Sequence, residues 1–387
     1  MKRLLLASTQ GPYNSGVRIL IAPDKFKGTL NAQDVAQNIA KGLVDVVPDA
    51  EIEIVPMADG GEGTAEAVCD ARGCGWLECK AHDPLGREID ARYGWIEQEK
   101  LAVMEMSEAA GMRRLSESER DPIGATTFGV GEMILDATKR GANEIIIGLG
   151  GSATNDGGFG MARALGFQFF GEGENEIQSF TLLPLLKRIV RPKELKPPRI
   201  VAAVDVRNPL LGENGATRVF GPQKGASKSD LDNLERALTR LADVVATEFG
   251  FDYRNEAGAG AAGGLGFGLL SFCGATIRPG FEVVAEAVGL EPKMKDADLV
   301  ITGEGSLDRQ TLEGKTPAGV ARLARKLGKP VFAIVGRASN DRELGEIFEG
   351  IYQNARPGMG QQENMKRAAE LLRKNARELA DTFGVGL

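Results

Sequence analysis

The run Ile145-Ile146-Ile147-Gly148-Leu149-Gly150-Gly151-Ser152-Ala153-Thr154-Asn155-Asp156-Gly157-Gly158 decides the architecture. Its apolar start reads as a buried strand, and the strand empties into a loop of glycines, hydroxyls and one carboxylate. Such a loop presents bare backbone N–H groups, which bind anions such as phosphate. The design recurs. Residues 17–22 run into Pro23-Asp24-Lys25-Phe26-Lys27-Gly28-Thr29. Residues 52–56 run into Met57-Ala58-Asp59-Gly60-Gly61-Glu62-Gly63-Thr64, and residues 299–302 into Gly303-Glu304-Gly305-Ser306-Leu307-Asp308. Four strand ends carrying Gly, acidic residues, hydroxyls and Lys point to one polar site that handles a phosphate and a metal.

The spacing between these runs fills in the rest. After the first strand, Asn31 is placed to cap a helix, and Val35, Ile39 and Leu43 follow at helical intervals. With the strand at 52–56 this makes a βαβ unit. A helix over 64–71 follows. Residues 76–81, 88–96 and 100–106 alternate like short strands separated by turn residues. Helices are expected over 126–139, 161–165, 231–249, 317–327 and 363–382, and strands over 167–170, 199–204 and 331–335. The stretch 184–198 reads as a connection rich in Pro and basic residues. The fold class is therefore α/β with two domains. Residues 17–74 and 285–387 form a Rossmann- or flavodoxin-like domain from both ends of the chain. Residues 75–284 form an inserted α/β domain with a mixed sheet. Residues 1–16 read as a loose N-terminal extension, since the apolar run after Lys2-Arg3 is too short for a signal peptide.

Composition narrows the function. The chain has 387 residues and a formal net charge of −7. It shows no basic block or stripe, which argues against a nucleic-acid partner. No stretch is long and apolar enough to span a membrane. Cys69, Cys74 and Cys79 cluster near His82, but their spacing fits no zinc pattern, and they read as reduced structural thiols of a cytoplasmic protein.

Several motifs carry competing readings. Gly148-x-Gly150-x-x-Ala153 matches a dinucleotide fingerprint, but Gln168 stands where the acidic residue is expected. Gly258-x-Gly260-x-x-Gly263 also matches, without a clear strand before it, and tight backbone packing explains it better. Gly314-Lys315-Thr316 resembles the end of a Walker A loop, yet Arg309 occupies the position of its first glycine. Asp205-Val206-Arg207-Asn208 follows a buried strand. There a carboxylate can hold Mg²⁺ or take a proton from an alcohol, or it can simply make a turn before Pro209. His82, the only histidine, reads as a surface or turn residue, and no G-x-S-x-G elbow accompanies it.

Taken together, Ile21–Leu30, Met57–Thr64, Gly148–Gly158, Asp205–Gly212, Val219–Ala226, Gly258–Gly268 and Leu299–Lys315 resemble the type I glycerate kinase family. The pieces appear in order from about residue 17 to the C-terminus. One departure is Lys25, where the family usually has Ser. The resemblance implies ATP-dependent phosphorylation of D-glycerate, usually to the 2-phosphate, with ATP as co-substrate. The strand-end carboxylates lead us to expect Mg²⁺ beside it, and a monomer or homodimer is expected. An NAD-dependent hydroxy-acid dehydrogenase and a non-catalytic sugar-acid-binding protein are the alternatives.

Phosphoryl transfer needs positioning and charge neutralisation more than covalent groups. On that chemistry Asp205, Lys27 and Asp24 are the catalytic candidates. Arg207, Asn208, Asp59, Glu62 and Lys25 are candidates for binding substrate. Gly150, Gly151, Ser152, Thr154, Asn155, Gly303, Gly305, Ser306 and Lys315 are candidates for binding nucleotide phosphates. Asp156, Glu304 and Asp308 are candidates for Mg²⁺.

Overall fold

The computed structural model describes residues 16–309, 311 and 315–384. The extension read over residues 1–16 lies outside the described residues except for Gly16. The chain divides into two compact units: residues up to Asp59 with those from Val284 onward, and Gly60–Val283.

In the first unit, five strands form one parallel sheet. Its order is Gly350–Gln353, Val331–Val335, Leu299–Thr302, Arg18–Ile21, Glu51–Ile54. Numbered within the unit, that order is 5-4-3-1-2, the flavodoxin-type winding. Ile19, Leu20 and Ile21 are fully buried, as a central strand covered on both faces requires. Asn31 caps the helix Ala32–Val44, its Oδ1 accepting from the Asp34 N–H at 2.7 Å. Val35, Ile39 and Leu43 pack in one cluster with Leu372, Ala376 and Leu379 of the helix Ala368–Gly384. The helices approach closely because Gly42 has no side chain: a Cβ there would lie 2.3 Å from the Arg373 carbonyl oxygen. The single helix read over 363–382 is two, Gln361–Lys366 and Ala368–Gly384, with a break at Arg367. The strand Gly350–Gln353 was not expected, because it is a short sheet edge and only half-buried.

In the second unit the sheet is mixed. Its order is Thr276–Pro279, Arg199–Val204, Glu144–Gly148, Leu101–Glu105, Glu88–Ile96, Gly75–His82. The first four strands pair in parallel, and Glu88–Ile96 pairs antiparallel with both of its neighbours. Ile145 and Ile147 are fully buried, as the opening run implies. Ser227 and Asp230 form a capping box on the helix Lys228–Phe249, which buries Leu234, Leu238, Leu241 and Val245. The helix Thr64–Arg72 packs on the strands Leu101–Glu105 and Glu88–Ile96 of this unit, whereas the sequence assigned it to the terminal domain. The chain passes between units at the turn Asp59-Gly60, where Gly60 takes φ +95°, and not at Gly73. The stretch 184–198 is not mere connection: it holds the strand Arg188–Val190, antiparallel to Gln168–Phe170.

Candidate functional site

A doubly wound sheet binds ligands outside the carboxyl ends of its strands, where the winding reverses direction. In the first unit that point lies between Arg18–Ile21 and Leu299–Thr302, adjacent strands whose chains leave toward opposite sides. Asp24 and Glu304 stand just beyond those two ends. The Asp24 N–H donates to the Gly303 carbonyl at 2.8 Å, which ties the two loops together. The Asp24 carboxylate accepts from the Lys25 N–H at 2.6 Å and the Thr316 hydroxyl at 2.8 Å. Thr316 opens the helix Thr316–Lys326, whose N-terminal end favours negative charge.

Both carboxyls resist ionisation. Burial, together with the nearby charge of Asp59, raises Asp24 to about 6 against the pull of Lys25 and Thr316. Charging Asp24 in place therefore costs about 3 kcal/mol more than in water. Burial raises Glu304 to about 7, and the charges of Asp24 and Asp308 add to the effect. Opposing this, the Thr311 hydroxyl donates to Glu304 at 2.6 Å and Lys315 attracts its charge. Half-exposed Lys25 lies 3.8 Å from Asp24, and Lys27 is exposed. Thus Asp24, Lys25, Asp59, Glu304, Asp308 and Lys315 act on one another electrostatically. Gly303 serves packing, since a Cβ would sit 2.1 Å from the Ile334 carbonyl oxygen. Gly305 is half-buried, and Ser306 accepts from Arg337 Nε at 3.0 Å.

The second unit places Glu105, Gly148–Gly151 and Asp205 at the carboxyl ends of three neighbouring parallel strands. Two glycine motifs fit against each other here. A Cβ on Gly150 would lie 2.4 Å from Gly61 Cα, and one on Gly148 would lie 2.6 Å from the Gly60 carbonyl oxygen. Gly151 takes φ +68° and is exposed. The N–H groups of Gly150 and Gly151 make no hydrogen bond among the described residues, which leaves two donors for an anion. The loop is anchored where Met112 N–H donates to the Gly151 carbonyl and Ala153 N–H to the Ala110 carbonyl. Asp205 and Arg207 are exposed, and Arg207 has no acidic partner among the described residues. Asn208 is held by its own bond to the Asn214 carbonyl at 2.8 Å. Glu62 is exposed, 4.0 Å from Arg113.

Part of the predicted loop turns inward. Thr154 and Asn155 are fully buried, and Ser152 is nearly so. Asn155 donates to the Thr217 hydroxyl at 3.0 Å, and neither side chain presents itself to an anion. Asp156 is also buried, accepting from Thr127 N–H and hydroxyl and from the N–H groups of Gly158 and Gly160. Its oxygens shape the loop by accepting these four hydrogen bonds. The Gly258–Gly268 segment packs as the backbone reading held: a Cβ on Gly263 would lie 2.0 Å from the Thr154 carbonyl oxygen.

Glu105 and Lys224 had no sequence signal of their own, and Thr316 showed only as the end of an incomplete Walker A pattern. Glu105 is buried and accepts from the Gly63 and Ala65 N–H groups at 2.8 and 3.1 Å, capping the helix Thr64–Arg72 from a neighbouring strand. Thr316 orients Asp24. Lys224 is 1% exposed and donates to the Thr154 carbonyl at 2.6 Å, and burial lowers it to about 7. Lys224 lies within a quoted motif, but nothing local marks it as buried.

A magnesium-type cation prefers hard oxygens, usually one or two carboxylates completed by phosphate and water. Asp24, Glu304 and Asp308 offer that donor chemistry, with Lys315 able to answer a phosphate. Among the described residues no three His, Cys, Asp or Glu side chains form a ready cage, so such a cation would have to share its ligands with a phosphate.

A flavodoxin-type unit with acidic and basic groups at its switch point and a mixed-sheet unit with an open glycine loop define the class: a two-unit α/β protein. Comparison with known proteins narrows it. The Glycerate kinase family model matches residues 19–384. Glycerate 2-kinase of Escherichia coli K12 is 44% identical over 87% of this chain and 95% of its own. Glycerate kinase of Halalkalibacterium halodurans is 39% identical over 94% and 97%. The solved structure of a glycerate kinase 2 from Salmonella typhimurium LT2 superposes with a TM-score of 0.84 at 41% identity, covering 96% of this chain and 99% of that one. The chain belongs to the glycerate kinase family.

Proposed function

We propose that this protein transfers the γ-phosphoryl group of ATP to D-glycerate, with 2-phosphoglycerate as the favoured product. One observation carries the reading: Asp24 and Glu304 flank the switch point of a flavodoxin-type sheet in a chain of the glycerate kinase family. In the reaction, a glycerate oxygen forms a bond to the γ-phosphorus as the bond to the ADP oxygen breaks. The hydroxyl proton passes to a carboxylate.

Asp205 suits that last role, being an exposed carboxylate at a strand end beside Arg207. Arg207 would fork onto the glycerate carboxylate, helped by Asn208. Lys25, Lys27 and Lys315 would neutralise phosphate charge, and the Gly150 and Gly151 N–H groups would hold an anionic oxygen. Asp24, Glu304 and Asp308 would hold Mg²⁺, whose charge offsets that building on the phosphates. Asp59 and Glu62 are proposed to border the substrate. We place the reaction in the cytoplasm, in keeping with four free cysteines. Among the described residues no helix is long and apolar enough to cross a membrane.

The test is a coupled assay of ADP release with Mg²⁺, ATP and a panel of three- and four-carbon hydroxy acids. D-glycerate should stimulate release most, and Asp205→Asn should lower the rate by ~10²–10⁴-fold without unfolding the protein. A rate within about tenfold of the parent removes Asp205 from the reaction. Binding of glycerate without ADP release would mark a non-catalytic acid-binding protein.

A further inference from the structure

Asp156 and Phe159 also border a cleft of about 300 Å³ in the second unit that none of the roles above employs. Its apolar wall includes Phe128 and Phe159, and the half-buried Arg163 guanidinium lies 6.0 and 5.6 Å from their ring centres. Arg163 Nη1 donates to the Gln178 carbonyl at 2.8 Å. No carboxylate pairs with Arg163 among the described residues, so its Nε–Nη2 edge stays open. That edge is the fork that grips a planar or tetrahedral oxyanion. Ser179 and Thr181, both exposed on the rim, share one hydrogen bond of 2.8 Å, which leaves one hydroxyl proton to give.

The acidic groups nearby are already answered. Glu132 lies 2.9 Å from His82 Nδ1, leaving Nε2 of that ring without a partner among the described residues. The Asp156 oxygens are taken by Thr127, Gly158 and Gly160. The positive charge of Arg163 is thus uncompensated by any direct contact, in a cleft with aromatic walls. His82, read from sequence as a surface or turn residue, ends the strand Gly75–His82 and borders this cleft.

We propose that this cleft is a second ligand site, one that takes a phosphate monoester on a small aromatic or apolar body. The phosphate sits on the open edge of Arg163 and the hydroxyl rim, and the body lies along Phe128 and Phe159. The volume is at the low end for ligand pockets, ~300 Å³, and suits a monophosphate of a single ring.

Calorimetric titration of the full chain with phenyl phosphate and with inorganic phosphate tests the assignment. Phenyl phosphate should bind, and inorganic phosphate should bind about tenfold more weakly for want of the ring contact. Arg163→Met keeps the stem over the rings and removes the fork, so affinity should fall about 10- to 100-fold. Asp205→Asn and Glu304→Gln, which alter the proposed transfer chemistry, should leave phenyl phosphate affinity within about twofold. This separates failure of the present inference from failure of the kinase reading. No measurable binding, equal binding by Arg163→Met, or loss of binding in Asp205→Asn would each overturn the site. If Arg163→Met does not fold, the rim variant Ser179→Ala with Thr181→Val takes its place. There a several-fold loss supports the site and unchanged affinity refutes it.

Discussion

Lys224→Met isolates the contribution of a buried charge to the loop that carries Gly150 and Gly151. Methionine is close in shape, so the change removes the ammonium and its 2.6 Å bond to the Thr154 carbonyl with little change of packing. Two effects follow. The lost bond and the orphaned carbonyl cost about 1–3 kcal/mol at any pH. The second effect depends on pH. Lys224 is lowered from 10.5 to about 7 by burial, so the unfolded chain holds its proton over a range where the folded chain has released it. Stability linked to this group therefore rises with pH from about 7 to 10.5 and is lost as pH falls through that window. Between pH 7 and pH 9 the linkage relation gives about 2 kcal/mol. Urea unfolding of parent and variant at both values measures it. The parent should gain about 2 kcal/mol on the variant between pH 7 and pH 9. A difference between the two proteins that does not move with pH would mean that Lys224 keeps its ordinary proton affinity in the folded chain.

Other outcomes follow from the same structure. Glu304 is raised from 4.5 to about 7, so here the folded chain holds the proton longer, and stability falls as pH rises through that window by about 3 kcal/mol. Glu304→Gln should flatten that fall in thermal melts, and an unchanged profile would contradict it. Since a cation needs the ionised forms of Asp24 and Glu304, kcat/KM for the proposed reaction should drop below about pH 7, and a flat profile to pH 5 would count against their role. Gly150→Ala should destabilise the fold by more than 2 kcal/mol, about the cost of overpacking, because of the 2.4 Å approach to Gly61. Gly151→Ala meets nothing closer than 3.6 Å and should cost about 1 kcal/mol for its positive φ, so equal losses in denaturant melts would contradict the packing. Thr316→Val removes a donor from Asp24 and should raise the Asp24 pKa further, which carboxyl NMR titration reads directly.

The fold was legible where local pattern and burial agree. Ile145–Ile147 and Ile19–Ile21 are apolar without interruption because both faces of a parallel strand are covered. Leu234, Leu238, Leu241 and Val245 repeat at helical spacing because one face of their helix is buried. The strand Gly350–Gln353 escaped because a half-exposed edge needs no such pattern. Of the candidate residues, Asp24 and Glu304 were legible as carboxylates just beyond strand ends, with glycine nearby. Burial was not legible within Thr154-Asn155-Asp156, where polar side chains turn inward to meet Thr217 and Thr127, residues distant in sequence. Glu105, Lys224 and the bond from Thr316 to Asp24 stayed hidden for the same reason: these partners are set by tertiary packing, which leaves no periodic mark.

Transfer of a phosphoryl group from ATP to glycerate leaves a signature of its own. Phosphorus NMR of one reaction with Mg²⁺, ATP and D-glycerate tests it most directly. ADP and a new phosphate monoester should form in equal amounts, the ester resonance split into a doublet by the single proton on the glycerate C2. A triplet would place the phosphate on C3 and contradict the favoured product. No new ester, with folded protein and ATP present, would rule out phosphoryl transfer to glycerate.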